Sequence, residues 1–248
     1  MSPVDPGTCT SAAAEHQADW RQQIRNRQGD ASAFVSYFDA AASVHDSYIQ
    51  GAWDFSTHIL KPQAIRLLGP PHGATALEIG FGGGRLLAAA SRYFHKVVGV
   101  DIHDSFEQTR ALLAEHGVGN AELVKGDGRT FPVPDESMDF VYSFIVLQHL
   151  PVLEVLQSNL AEVRRVLKVG KPAVLYFGYL PFRFGQKYRD LQTADIASSR
   201  ENSLLLRPAF ARRLLRAAGL RFVGGGRSVK KPWLDELGQQ YYAVVMRP

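Results

Sequence analysis

The chain has 248 residues, a formal net charge of +4 and a hydrophobic share of 46%. That length holds one substantial α/β core with room for a covering segment, not two full domains. No apolar run approaches the roughly eighteen residues of a membrane span, and a single cysteine, Cys9, excludes an internal disulfide or a cysteine-built metal site.

The first thirty residues are small and polar, with Pro and Gly interspersed. They read as a flexible segment without fixed structure. No basic stretch followed by an apolar core opens the chain, so a secretory signal is not expected and a reducing cytoplasm is the default location. From 31 to 72 two helical patterns are predicted. One carries Phe34, Val35 and Phe38; the other carries Ile59, Ala64, Ile65, Leu67 and Leu68 and stops at Gly69-Pro70-Pro71. An aromatic link with Tyr48 and Trp53 joins them.

The stretch Thr75 to His103, TALEIGFGGGRLLAAASRYFHKVVGVDIH, is the most informative. An apolar strand ends in Glu78, and Gly80, Gly82 and Gly84 follow at alternate positions. A helix with Leu86, Leu87, Ala90 and Phe94 comes next, then a second strand closing on Asp101. Strand, glycine turn, helix, strand and acid is the order by which a parallel sheet holds an adenosine-containing cofactor. A dinucleotide would want G-x-G-x-x-G, but Arg85 stands at the third glycine's place. Glu78 at the first strand tip would repel a pyrophosphate and attract an ammonium or sulfonium. Asp101 lies about 20 residues past the first glycine, where a carboxylate accepts ribose hydroxyls. A ribose, a cationic sulfur and an amino-acid tail together describe S-adenosylmethionine. A dehydrogenase shares the topology, but Arg85 and Glu78 oppose it.

Strands are predicted at 75–79, 97–101, 121–125, 138–144 and 172–178, with helices near 84–93, 104–116 and 152–167. This alternation demands parallel strands joined by crossover helices. The connection over 178–208 is long enough to be functional. It carries Tyr179, Phe182, Phe184 and Tyr188 with Arg183, Lys187 and Arg189, which suit an anionic or aromatic acceptor or, equally, a packed surface loop. A basic amphipathic helix over Pro208 to Ala218 precedes two final strands near 220–229 and 240–246. Residues 178–248 hold 13 basic and 5 acidic side chains, a local surplus of +8. Such a surplus suits an anionic partner or is only a solvated cationic face.

With these residues in view, the segment resembles motif I and its successor in class I S-adenosylmethionine-dependent methyltransferases, of the type 11-like kind. VKGDGRTFPVPDESMDFVYSFIVLQHLP (Val124 to Pro151) and LAEVRRVLKVGKPAVLYF (Leu160 to Phe177) resemble later landmarks of that family. At Val169-Gly170-Lys171 the chain departs from the family's Pro-Gly-Gly turn. The resemblance implies a Rossmann-like, doubly wound, mostly parallel seven-stranded sheet with an antiparallel terminal hairpin. It implies one domain over 31–248, in which 31–72 form a helical lid and 178–208 a substrate-side insert. Glu78 and the loop Gly80, Gly82, Gly84 would hold the methionine part, Asp101 the ribose, and Ile102, Asp127 and Gly128 the adenine. Ser143 and Phe144 would sit beside the sulfonium. His149 is the candidate base, weighed against a purely structural histidine.

The expected activity is methyl transfer to an oxygen, nitrogen or carbon of a small molecule, anionic or aromatic, with no metal. Methylation of RNA or protein, and a catalytically silent partner-binding fold, stand as alternatives. Against RNA, the base-methylating Asn/Asp-Pro-Pro-Tyr signature is absent at the fourth strand's end, and neither a nucleic acid nor a membrane is expected as partner. The oligomeric state is not read from the sequence.

Overall fold

The computed structural model describes residues 6–181, 185–190, 204–229 and 240–248, with side chains from Ala14 onward. Phe182, Arg183 and Phe184 of the expected insert lie outside the described residues.

Among the described residues nine strands build one sheet: β1 (Thr75–Ile79), β2 (Lys96–Asp101), β3 (Ala121–Lys125), β4 (Phe140–Ser143), β5 (Pro172–Tyr179), β6 (Tyr188–Arg189), β7 (Leu205–Leu206), β8 (Arg221–Arg227) and β9 (Gln240–Met246). Strands β3, β2, β1, β4 and β5 are mutually parallel in that order. The seven expected strands are all present; β9 pairs β5 antiparallel, and β8 in turn pairs β9 antiparallel. The count differs from seven because the long connection returns through β6 and β7, two residues each, with β7 pairing the end of β5. Their short length explains why no hydrophobic period marked them.

Alternation along each strand divides the core into two layers, as the two-residue period requires. Ala76, Tyr142, Val174 and Tyr176 face one layer, which contains Phe34, Phe55, Ile59 and Phe94. Leu77, Val141, Ala173 and Leu175 face the other, which contains Leu156, Leu160 and Val163. The helices covering the sheet are α5 (Arg85–Ala90), α6 (Phe106–Glu115), α7 (Leu153–Val166) and α8 (Pro208–Ala217). With both faces covered, the central strands are apolar throughout rather than alternating with polar positions.

The N-terminal part departs from expectation. Pro6–Arg25 form α1, a 20-residue helix, where a segment without fixed structure was expected. Polar composition hid it, because its anchoring contacts lie far off in sequence: Arg21 Nε donates to the carbonyl of Ile102 (3.0 Å) and His16 Nε2 to that of His149 (3.0 Å). Residues 31–68 contain three α-helices rather than two: α2 (Ala31–Asp39), α3 (Val44–Asp54) and α4 (Pro62–Leu68). The aromatic link is α3 itself, continued by a π-helical turn over Phe55–Ile59. Its start is written locally: the amide of Asp46 donates to Ser43 Oγ (3.1 Å), and Ser43 Oγ donates back to the Asp46 carboxylate (2.8 Å). That is a reciprocal cap. Asp30 likewise caps α2 by accepting from the Ala33 amide. Gly51 lets α3 lie against α5, since a Cβ there would come within 2.6 Å of the Arg85 carbonyl oxygen.

Candidate functional site

Strand order reverses direction between β1, β2 on one side and β4, β5 on the other, and such a switch point opens a crevice at the carboxyl ends of the strands. A cavity of about 1330 Å³ lies there. Its walls come from the tips of β1 and β2, the glycine turn, the segment after β4, the first turn of β9, and helices α1 and α2.

The turn after β1 leaves the strand at Gly80, whose φ of 75° is strained for any residue with a Cβ, and whose Cβ would stand 2.4 Å from Val146. Its neighbours are held from both sides. The Gly82 amide donates to Asp101 Oδ2 (2.9 Å), while Thr109 Oγ1 donates to the Gly82 carbonyl (3.1 Å). Asp101 Oδ1 also accepts from the Ile102 amide (2.6 Å). The His103 amide donates to Oδ1 as well (3.4 Å); a carboxylate offers about four acceptor positions, so these three amides leave capacity for a ligand hydroxyl.

Glu78, next to last in β1, is buried and accepts from the Tyr142 hydroxyl (3.0 Å). Burial pushes its pKa up to about 8, against the opposing pull of the Tyr142 hydrogen bond and the Arg85 charge. An enclosed carboxylate lining a cavity calls for a cation facing it. The residues present therefore fit a ligand with a cationic group near Glu78 and a diol near Asp101, and they disfavour a diphosphate.

The expected site residues fall into two groups. Glu78, Gly80, Gly82, Asp101, Ile102, Gly128, Phe144 and His149 line the cavity together. Gly84, Asp127 and Ser143 do not. Gly84 is the N-cap of α5 and supports the turn from behind. Asp127 is exposed and folds into its own turn, accepting from the amides of Arg129 (2.8 Å) and Thr130 (2.7 Å). Ser143 is buried behind the wall that Phe144 forms. His149 is neutral at neutral pH, since burial together with the nearby His16 pushes its pKa down to about 4. Such an imidazole is a weak proton acceptor.

Three features were not found in the sequence. Helix α1 brings His16, Gln17 and Trp20 onto the cavity, with the Gln17 amide donating to the Asp127 carbonyl (3.3 Å). Arg85, read only as a missing glycine, is buried between two acids, with Asp39 Oδ2 at 3.3 Å and a close bond to Asp54. Gln148 and Gln240 form a side-chain pair at the far wall. A buried arginine implies carboxylates nearby, so Arg85 could have been flagged; nothing local marks the other two.

Residues 77–175 match the family described as a methyltransferase domain. A 24-methylenesterol C-methyltransferase 2 of Arabidopsis thaliana is 34% identical over 125 residues, covering 49% of this chain and 34% of that protein. An uncharacterised methyltransferase of Bacillus subtilis strain 168, YcgJ, is 30% identical over 106 residues, covering 42% of this chain and 41% of that one. The chain thus spans well under two thirds of the length of the curated relatives it matches. Among solved structures, a geranyl diphosphate C-methyltransferase of Streptomyces coelicolor A3(2) superposes with TM-score 0.65 at 14% identity, covering 100% of both chains. The Burkholderia thailandensis 1,6-didemethyltoxoflavin-N1-methyltransferase superposes with TM-score 0.66 at 16% identity, covering 100% of this chain and 92% of that one. At such identities these two establish a shared fold.

Proposed function

We propose that the chain is a class I S-adenosylmethionine-dependent methyltransferase, an enzyme that transfers a methyl group from S-adenosylmethionine to a small-molecule acceptor; the match of residues 77–175 to a methyltransferase-domain family supports this reading. The observation that carries this reading is the pairing of Glu78 and Asp101 on neighbouring strand tips around one cavity. Bound there, S-adenosylmethionine supplies a methyl carbon on a positively charged sulfur, open to in-line displacement. Glu78 faces the cationic amino-acid end and Asp101 accepts a ribose hydroxyl. Ile102 and Gly128 bound the adenine side, with Gln17 close above Gly128.

The chain's further contribution is alignment and exclusion of water. Phe144, packed between the rings of His58 (4.8 Å) and Tyr176 (4.9 Å), is a fixed wall where the transferring group would lie. Alignment of donor and acceptor supplies up to ~7–11 kcal/mol of barrier reduction. Neutral and weakly basic, His149 is a poor acceptor for a proton released in the step.

Asp101→Ala tests the assignment. Loss of the carboxylate's charge-assisted bonding to the ribose, and of its hold on the Gly82 amide, should weaken S-adenosylhomocysteine binding by roughly 2–4 kcal/mol, read by titration calorimetry. Unchanged affinity, or tight binding of NAD by the intact chain, would remove the reading. Arg212, Arg213 and Arg216 form an exposed basic row on α8 and support RNA as a second acceptor class. Steeply salt-dependent RNA binding is its test.

A further inference from the structure

The cavity extends beyond the residues assigned to the cofactor. In the sheet, β1 is followed by β4, β5 and β9, so the mouth over β9 lies three strands from Glu78. Gln240 opens β9 opposite Gly178 at the end of β5, on the same sheet edge as Glu78. It is 3% exposed and lines the cavity.

Its amide nitrogen donates to Gln148 Oε1, and Gln148 Nε2 lies 3.2 Å from His149 Nε2. Read as one directed chain, Gln240 donates to Gln148 and Gln148 to His149, which assigns the imidazole proton to Nδ1. Gln148 is itself fixed, because its carbonyl accepts from the Leu204 amide (2.8 Å). The chain leaves one acceptor over. Gln240 Oε1 is buried with no hydrogen-bond partner among the described residues. A buried carbonyl oxygen left unpaired is costly, so it stands as a demand for a donor arriving from the cavity.

The cavity that Gln240 lines also has aromatic and cationic walls. The ring of Trp20 lies 5.4 Å from His149 and 5.3 Å from Tyr37. The Arg227 guanidinium, over the Tyr179 ring at 4.5 Å, reaches the same cavity. Flat aromatic walls favour a planar ligand, and the guanidinium favours one bearing an anionic group.

We propose that the Gln148–Gln240 pair is the recognition site for the methyl acceptor. It selects a planar small molecule that presents an O–H or N–H donor to Gln240 Oε1 and an anionic group toward Arg227. The proposal rests on the methyl-transfer reading and names the substrate class of that same cavity.

The test uses the full chain saturated with S-adenosylhomocysteine, titrated with 4-hydroxybenzoate, 4-methoxybenzoate and 4-hydroxybenzamide. The hydroxy acid should bind at least ~tenfold more tightly than its methyl ether, which lacks the donor, and several-fold more tightly than the uncharged amide. In Gln240→Leu the preference for hydroxyl over methoxyl should fall to near one, with S-adenosylhomocysteine affinity unchanged. The double variant Gln148→Leu/Gln240→Leu removes both amides at once, leaves neither glutamine orphaned by the other, and should show the same loss of preference. Equal binding of hydroxy and methoxy acids, binding of neither, or a preference that survives Gln240→Leu would overturn the site while cofactor binding stands. Failure of S-adenosylhomocysteine to bind would overturn the methyl-transfer reading and this site with it.

Discussion

Glu78 is enclosed at the tip of β1, with the Tyr142 hydroxyl donating to it and its pKa raised to about 8 by burial. At pH 7 the ligand-free carboxyl therefore keeps its proton, and a cation placed opposite must drive that proton off. Below its pKa, each unit of falling pH should weaken binding of the cationic cofactor, by at most roughly tenfold. Above about pH 8 the dependence should level. The sign for stability is the reverse. A folded-state pKa raised above the ordinary carboxyl value means the native chain holds a proton that the unfolded chain has lost. That stabilisation is complete below the ordinary carboxyl range and is lost as pH climbs through 8. Titration calorimetry in buffers of different ionisation heat should record proton release approaching one per cofactor at neutral pH. Glu78→Gln should abolish the release and flatten the pH profile; a retained profile would show that another group is responsible.

At the scale of elements, the covering helices are joined to the cofactor turn by Arg85. It opens α5 and reaches Asp39 at the end of α2 and Asp54 at the end of α3. Ser47 also donates to Asp39. All three charged groups are buried, so the arrangement gains geometry rather than much net energy, but it penalises loss of any one member. Arg85→Met should leave two buried carboxylates without their cation and cost about 3–5 kcal/mol, measured by urea unfolding. Adding Asp39→Asn and Asp54→Asn to Arg85→Met should recover much of that loss, since no buried charge then stands unpaired. No recovery would mean that packing, not charge, holds these helices. This latch also marks where sequence reading runs out. The strand ends at Glu78 and Asp101 follow from apolar runs meeting an acid, and the structure has both at the cavity. Asp39, Asp54 and Arg85 are separated by 15 to 46 positions, and only the folded chain brings them together. The same holds for Gln148 and Gln240, whose hydrogen bond spans 92 positions.

The whole molecule is a two-layer sheet core with a cover of a different kind. The sheet and its helices bury apolar side chains on both faces, whereas the described contacts of α1 with the body include polar ones, from His16, Gln17 and Arg21 to backbone carbonyls around the cavity. Each such bond contributes only about 0.5–1.5 kcal/mol, so α1 should open far more often than the sheet. Trp20 and Ile24 are the exceptions, Trp20 packing on Tyr37 and His149 over the cavity and Ile24 buried in the apolar core at the helix's C-terminal end. A ligand filling the cavity beneath α1 gains this cover's contacts only when the cover is closed, and so shifts it toward closure. Hydrogen exchange should therefore show β1, β4 and β5 protected with or without ligand, and α1 and α2 protected mainly when S-adenosylhomocysteine is bound. At a ligand concentration about a hundredfold above Kd, global stability should rise by ~2.7 kcal/mol. Removing residues 1–28 should leave the sheet folded, with unchanged protection in β1, β4 and β5, and weaken S-adenosylhomocysteine by roughly ten- to a hundredfold through the lost contacts. Equal affinity in the shortened chain would mean that α1 covers the cavity without closing on its contents, and that the cofactor is held by the strand tips and glycine turn alone.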